Sequence, residues 1–157
     1  MQGTVHQISI SDGGAPKQSV PDAEVTPGGL VGDRQRFLKF HGGPERAVCL
    51  LGLDVIERLA GEGHPIAPGS VGENVTVAGF DWSAVDIGGV FAFGGGVELQ
   101  VSSWAVPCKN IGHAFSDGGF VRLHAEKHPG RARAYCRVLT EGRIAAGEAV
   151  SWRPPGT

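Results

Sequence analysis

A thiol beside an ammonium group is the most reactive arrangement in this chain: Cys108 follows Pro107 and precedes Lys109, just beyond the alternating run 97–102. Proline fixes its own φ and pushes the residue before it toward extended backbone, so a strand ends here and the next residue is held in place. The thiolate is the form of cysteine that attacks electrophiles and binds soft metals, and a neighbouring ammonium favours it. Cys49 and Cys136 read differently. Cys49 lies in the apolar run Ala47-Val48-Cys49-Leu50-Leu51, and Cys136 sits between Tyr135 and Arg137 in an alternating segment that leaves its facing open. Both fit the ordinary behaviour of a free cysteine as a small buried hydrophobe.

Two polar, glycine-containing segments lie far from Cys108 in sequence. His41-Gly42-Gly43-Pro44-Glu45-Arg46 supplies an imidazole, glycines that let a ligand approach the backbone, and a guanidinium able to hold a phosphate or carboxylate. The oxyanion-hole use of an HGG segment belongs with a G-x-S-x-G serine elbow, which this chain lacks. Val71-Gly72-Glu73-Asn74-Val75 has the composition of a turn, and it equally places a carboxylate and an amide at a pocket rim. Asp33 and Arg34, taken by themselves, make a surface pair of little energetic weight. Six histidines include an i, i+4 pair, His124 and His128, but no third ligand is near them in sequence and His128 precedes a proline, so zinc is not expected.

The elements that must position these groups are short. Residues 4–10 alternate and stop at Ser11-Asp12-Gly13-Gly14; residues 19–25 resume extended structure; residues 46–51 read as a buried strand. Strands are expected at 74–77, 90–93, 97–102 and 133–140, with a last one within 147–152. The one clear helix covers 53–60, where Val55, Ile56 and Leu59 share a face ahead of Gly61, and it is expected to plug one end of a sheet structure. A second helical stretch is expected over 119–127, ending at His128-Pro129-Gly130. The sequence is therefore read as mainly β, a barrel-like architecture with a few short helices.

With 157 residues the chain falls within the size of one domain. Its 26 glycines are spread along the whole length as turn punctuation. A net charge of −2, with the basic residues scattered, gives no electrostatic footprint for nucleic acid or for an anionic membrane. No apolar run approaches a membrane span and the N-terminus lacks the pattern of a signal peptide, so a cytoplasmic location is expected. Three widely spaced cysteines without a CxxC pair disfavour a disulfide framework and suit a reducing compartment.

Five segments in order carry a resemblance: Val31-Gly32-Asp33-Arg34-Gln35; His41-Gly42-Gly43-Pro44-Glu45-Arg46-Ala47-Val48; Pro68-Gly69-Ser70-Val71-Gly72-Glu73-Asn74-Val75-Thr76-Val77; Pro107-Cys108-Lys109; and Tyr135-Cys136-Arg137-Val138-Leu139. Together they resemble the MOSC family, the domain found at the C-terminus of molybdenum cofactor sulfurases, in its compact bacterial form. The resemblance implies a β-barrel, a single MOSC domain over 1–157, and a signature cysteine corresponding to Cys108. In that family the cysteine is proposed to carry sulfur as a persulfide or, in amidoxime-reducing relatives, to ligate molybdenum. The cofactor implied is molybdopterin, without pyridoxal phosphate. Arg34, Arg46 and Lys109 are expected to receive its anionic phosphate, while His41, Glu73 and Asn74 line the pocket. The compact bacterial forms resemble proteins that detoxify N-hydroxylated bases, so reduction of such substrates with a redox partner is one expectation. A sulfur-carrier role served by a cysteine desulfurase is another, and a non-catalytic binding module on the same barrel is the alternative. Two departures stand out. Cys136 is an extra thiol ahead of Arg-Val, and the chain is short after Trp152, where hydroxylaminopurine-resistance relatives carry a further helical segment.

Overall fold

The computed structural model describes residues 1–34 and 43–157, so His41 lies outside the described residues. Glycines and prolines divide the described chain into β1 (Gln2–Ile10), β2 (Gln18–Val20), β3 (Asp22–Thr26), β4 (Gly29–Leu30), β5 (Val48–Gly52), β6 (Val75–Ala78), β7 (Val90–Phe93), β8 (Glu98–Trp104), β9 (Ala134–Thr140), β10 (Gly142–Ala145) and β11 (Ala149–Arg153). The helix α1 spans Leu53–Gly61. Pairing runs β11-β7-β8-β9-β5-β6-β1, and β1 also pairs with β11, which closes a seven-stranded barrel; β2 extends β1 at one margin. A separate three-stranded sheet has the order β10-β3-β4.

Closure depends on β1, which is long enough to serve three partners. Residues 2–4 pair with β11, residues 4–8 with β6 and residues 8–10 with β2, with a register shift between Val5 and Gln7. Such a bulge bends a strand and lets it pass from one neighbour to the next. At Gly3 the approach is so close that an added Cβ would lie 1.9 Å from the Ala78 carbonyl oxygen. Among the described pairs only β5 and β6 run parallel, and α1 supplies the crossover that a parallel pair requires. It buries Val55, Ile56 and Leu59, the face read from the sequence periodicity, against β5 and β6.

The core is continuous through the barrel. Phe91 packs between Trp82, with ring centroids 5.9 Å apart, and Trp152, at 4.7 Å. Trp82 is fully buried, and its Nε1–H donates to the Ala132 carbonyl at 2.7 Å, so its polar atom is satisfied. No helix among the described residues is long and apolar enough to cross a membrane.

Three sequence expectations are corrected. Residues 119–127 do not form a helix: a 3-10 turn covers Phe120–Leu123 and stops there. The Nδ1 atom of His124 accepts the backbone N–H groups of Glu126, at 3.2 Å, and Lys127, at 3.4 Å, offering the backbone a partner outside a helical ladder. The stretch after Glu141 is not only a turn, because β10 pairs there with β3. Asp33 does not pair with Arg34; its carboxylate turns inward to Lys17.

Candidate functional site

The thiol is placed where β8 leaves the barrel. Ala105 is buried and its N–H donates to the Arg133 carbonyl at 2.8 Å, which holds the end of β8 beside the start of β9. Val106 is 69 % exposed, Pro107 is buried, and Cys108 follows, half-buried in extended backbone at φ −143°. The 3-10 segment Lys109–Ala114 begins directly after it. Within that segment His113 Nε2 meets the Ser70 carbonyl at 2.7 Å, and just beyond it the Ser116 N–H donates to His64 Nδ1 at 3.2 Å.

Strand register brings a second set of groups to the same end of the barrel. Tyr135 lies opposite Cys49 on β5 and Ser103 on β8, and Cys49, Ala105 and Tyr135 form a small buried cluster apart from the main core. The Arg46 guanidinium sits 5.8 Å from the centre of the Tyr135 ring, a cation–π distance. Burial drives the Tyr135 hydroxyl well above the usual phenol range, with Cys49 and Cys108 pushing it further up and Arg133 and Arg46 opposing. Cys108, Arg46, Arg133, Cys49 and Tyr135 are therefore within electrostatic reach of one another. Cys136, one residue on, faces the other way: it pairs with Val48, is fully buried and belongs to the core, where burial holds its thiol far above the ordinary range.

Behind this cluster lies a buried polar network. Asn74 is fully buried, and its Oδ1 accepts the Cys49 N–H at 3.0 Å. Its Nδ2 donates to Asp33 Oδ2 at 2.9 Å and to the Ser9 carbonyl at 3.3 Å. The other Asp33 oxygen accepts Lys17 Nζ at 2.7 Å and the Ser11 N–H at 3.0 Å. The Lys17 and Asp33 side chains are 2 % and 4 % exposed, so this is an interior ion pair. Glu73 is also fully buried; its Oε2 accepts from the Gly69 N–H at 3.0 Å and from Thr76 Oγ1 at 3.1 Å, while its Oε1 has no partner. Arg133 is 5 % exposed, donates through Nη1 to the Val71 carbonyl at 2.8 Å and leaves Nε without a partner. Burial raises the Glu73 carboxyl above the usual range, opposed chiefly by the bonds from Gly69 and Thr76 and by the Arg133 charge. Burial also pushes the Cys49 thiol up to about 11, against the charges of Arg133 and Lys17.

Of the residues expected from sequence, Cys108 and Arg46 come together around Tyr135. Glu73 and Asn74 stand behind Cys49 and are bonded within the protein, a placement that suits holding the site in shape. The Arg34 side chain is 75 % exposed, 3.9 Å from Asp12, and Lys109 is exposed. Among the described residues no three His, Cys, Asp or Glu side chains converge as a metal site.

Sequence reasoning missed Lys17, Asp33, Cys49, Arg133 and Tyr135 as members of the site. A signal existed for two of them. The alternation read at 133–140 puts Arg133 and Tyr135 on one face of the strand, and the burial of Ala132 and Ala134 beside them marks an interior position. Lys17 and Asp33 carry no such signal, because their pairing joins two loops.

The family model for the MOSC domain matches residues 38–151. The chain is 36 % identical over 120 residues to the uncharacterized protein YflK of Bacillus subtilis (strain 168), covering 74 % of this chain and 52 % of that one. It is 30 % identical over 123 residues to the protein YiiM of Escherichia coli (strain K12), covering 75 % and 53 %. It thus spans about half the length of these curated relatives. Among solved structures, the YUAD protein from Bacillus subtilis superposes with a TM-score of 0.76 at 19 % identity, covering 98 % of this chain and 97 % of that one, a likeness of fold. With the family model matched over most of its length, the chain belongs to the MOSC domain family, a family associated with the molybdenum cofactor.

Proposed function

We propose that this protein binds the molybdenum cofactor, with Cys108 serving as the molybdenum ligand or as the carrier of a persulfide sulfur. The observation that carries the reading is the gathering of a half-buried thiol, Cys108, with the guanidinium groups of Arg46 and Arg133 around Tyr135 at one end of the barrel. The residues present fit such a group. A thiol with access to solvent supplies one soft ligand, and the remaining ligands of a cofactor-borne metal come with the cofactor. An anionic pterin phosphate needs guanidinium or ammonium partners, since an unpaired buried charge is costly.

In this reading Arg34, Arg46 and Lys109 receive the phosphate, and His41 lines the pocket. Glu73 and Asn74 fix the backbone at Gly69 and Cys49 from beneath. When bound, the cofactor supplies two-electron redox and sulfur- or oxygen-transfer chemistry. The protein's part is to present the Cys108 sulfur, to neutralise the anion and to exclude water with Tyr135 and Cys49. The chain acts as a single MOSC domain over 1–157, in the cytoplasm. Reduction of N-hydroxylated substrates would draw electrons from a redox partner, and the persulfide version would draw sulfur from a cysteine desulfurase.

The test is the content of protein purified from a cofactor-producing host. Molybdenum and pterin in equal amounts are expected, retained through gel filtration. Protein that holds neither, and takes up neither when cofactor is added, refutes the metal-ligand version. A mass increase of one sulfur on Cys108 after incubation with a cysteine desulfurase and cysteine supports the persulfide version, and its absence counts against it.

A further inference from the structure

A cavity of about 320 Å³ opens beside α1, where Gly130 lies against Ser83. Four charged side chains line it, two of each sign: Asp54 and Arg58 from α1, Asp81 ahead of the 3-10 turn Trp82–Ala84, and Arg131. They do not pair with one another. Asp54 Oδ2 accepts the Trp82 N–H at 3.1 Å, and Asp81 Oδ1 accepts the Ser83 N–H at 3.1 Å. Among the described residues neither the Arg58 nor the Arg131 guanidinium has a hydrogen bond or an ion pair. A second cavity, of about 180 Å³, adjoins the first and shares Pro129 and Gly130 with it. Its remaining lining is Trp104, Ala125 and Ala132, apolar apart from the Trp104 indole N–H, which has no partner among the described residues. Gly130 fixes the junction: it adopts φ +83°, and an added Cβ would lie 2.8 Å from the Ser83 Cβ, so only a bare residue lets the two walls meet there.

We propose that the two adjoining cavities bind a free α-amino acid with an apolar side chain. Arg58 and Arg131 take its carboxylate, Asp54 and Asp81 its ammonium, and the slot beside Trp104 its side chain. The reasoning starts from charge. Opposite charges that met in one cavity would neutralise each other, but here backbone N–H groups anchor both carboxylates and both guanidinium groups stay unpaired. A planar guanidinium takes a carboxylate through two parallel bonds. Asp54 Oδ1 and Asp81 Oδ2 have no hydrogen bond among the described residues and are acceptors for an ammonium. Two cations and two anions make the site neutral in sum, which suits a zwitterion. A lone carboxylate would meet two aspartates, and a lone amine two arginines. A peptide offers only one of the two charges at either end, which singles out the free amino acid. An apolar side chain in the slot leaves water and adds to the affinity, and cavities of this size belong to small ligands. The proposal goes beyond the cofactor reading and does not depend on it, since the site shares no residue with the cluster around Cys108.

The probe is L-phenylalanine, titrated into the isotope-labelled full chain and followed through the Trp104 indole N–H resonance, which Trp104→Phe assigns. A saturable shift is expected, with a dissociation constant of about 1 mM or tighter. Three analogues dissect the site without altering the protein: 3-phenylpropanoate lacks the ammonium, phenethylamine lacks the carboxylate and L-alanine leaves the slot empty. Each is expected to bind at least about tenfold more weakly than L-phenylalanine. Arg131→Gln is expected to weaken L-phenylalanine by at least about tenfold and to leave phenethylamine unchanged. Asp54→Asn is expected to weaken L-phenylalanine and to leave 3-phenylpropanoate unchanged. No saturable shift at about 10 mM overturns the proposal. So does 3-phenylpropanoate or phenethylamine binding as tightly as L-phenylalanine, which would reduce the site to an apolar slot. Unchanged L-phenylalanine affinity in both variants, with far-UV spectra matching wild type, overturns it as well. Should a variant fail to fold, the analogue series on the wild-type protein decides alone.

Discussion

Replacing Asp33 by alanine is the sharpest test of the interior network. The carboxylate accepts Lys17 Nζ at 2.7 Å, the Ser11 N–H at 3.0 Å and Asn74 Nδ2 at 2.9 Å. The ammonium it neutralises is 2 % exposed. Removing one partner of a buried ion pair leaves the other charge uncompensated, which costs about 3–5 kcal/mol. For a chain of this size about 1 kcal/mol shifts the melting temperature by roughly 2–4 °C, so a fall of about 6–20 °C is expected. Urea denaturation with an unchanged m-value is the assay. Lys17→Met placed in the Asp33→Ala background is expected to recover part of the loss, because it removes the stranded charge. A loss below about 1 kcal/mol, the scale of an exposed pair, would refute the claim that this pair is interior and organises the loops around Asn74.

Other expectations follow from burial and close packing. Iodoacetamide under native conditions at mildly alkaline pH should alkylate Cys108 well before Cys49 or Cys136, because burial holds the Cys49 thiol at about 11 and Cys136 far above its ordinary range; peptide mass spectrometry reads this, and comparable labelling of Cys136 contradicts it. Burial raises the Glu73 carboxyl above the ordinary carboxylate range, so the unfolded chain loses its proton first and stability falls as pH rises from that range through the raised folded-state value. Glu73→Gln should remove that slope, measured as the difference between urea midpoints of the two proteins across pH. Gly3→Ala sets a methyl group 1.9 Å from the Ala78 carbonyl oxygen; forcing β1 away from β6 should cost about 1–3 kcal/mol, seen as a lower urea midpoint.

The barrel was legible because its strands carry strong local signals. Alternation at 97–102 is matched by the burial of Val97, Leu99 and Val101 on one face, and the α1 periodicity at Val55, Ile56 and Leu59 is enforced by its packing on β5 and β6. Closure through β1 was not legible, since the bulge between Val5 and Gln7 depends on which strands arrive on either side. The failed helix at 119–127 shows a side chain, His124, outcompeting a weak local preference. At the site, Cys108 and Arg46 were found from residue type and neighbours, while Arg133 and Tyr135 were overlooked although their alternation was seen. Lys17 and Asp33, sixteen residues apart in sequence, meet only through the fold. A buried ion pair between loops leaves no periodic trace.

The central claim is that the Cys108 sulfur holds the cofactor's metal or the sulfur it carries. The most direct measurement is molybdenum per chain, by plasma mass spectrometry, in wild-type and Cys108→Ser protein produced side by side in a cofactor-producing host, with matched far-UV spectra. The metal-ligand account predicts stoichiometric molybdenum in the wild type and a large loss in the variant. Equal molybdenum in both would contradict that account, showing that the barrel holds the group without this thiol.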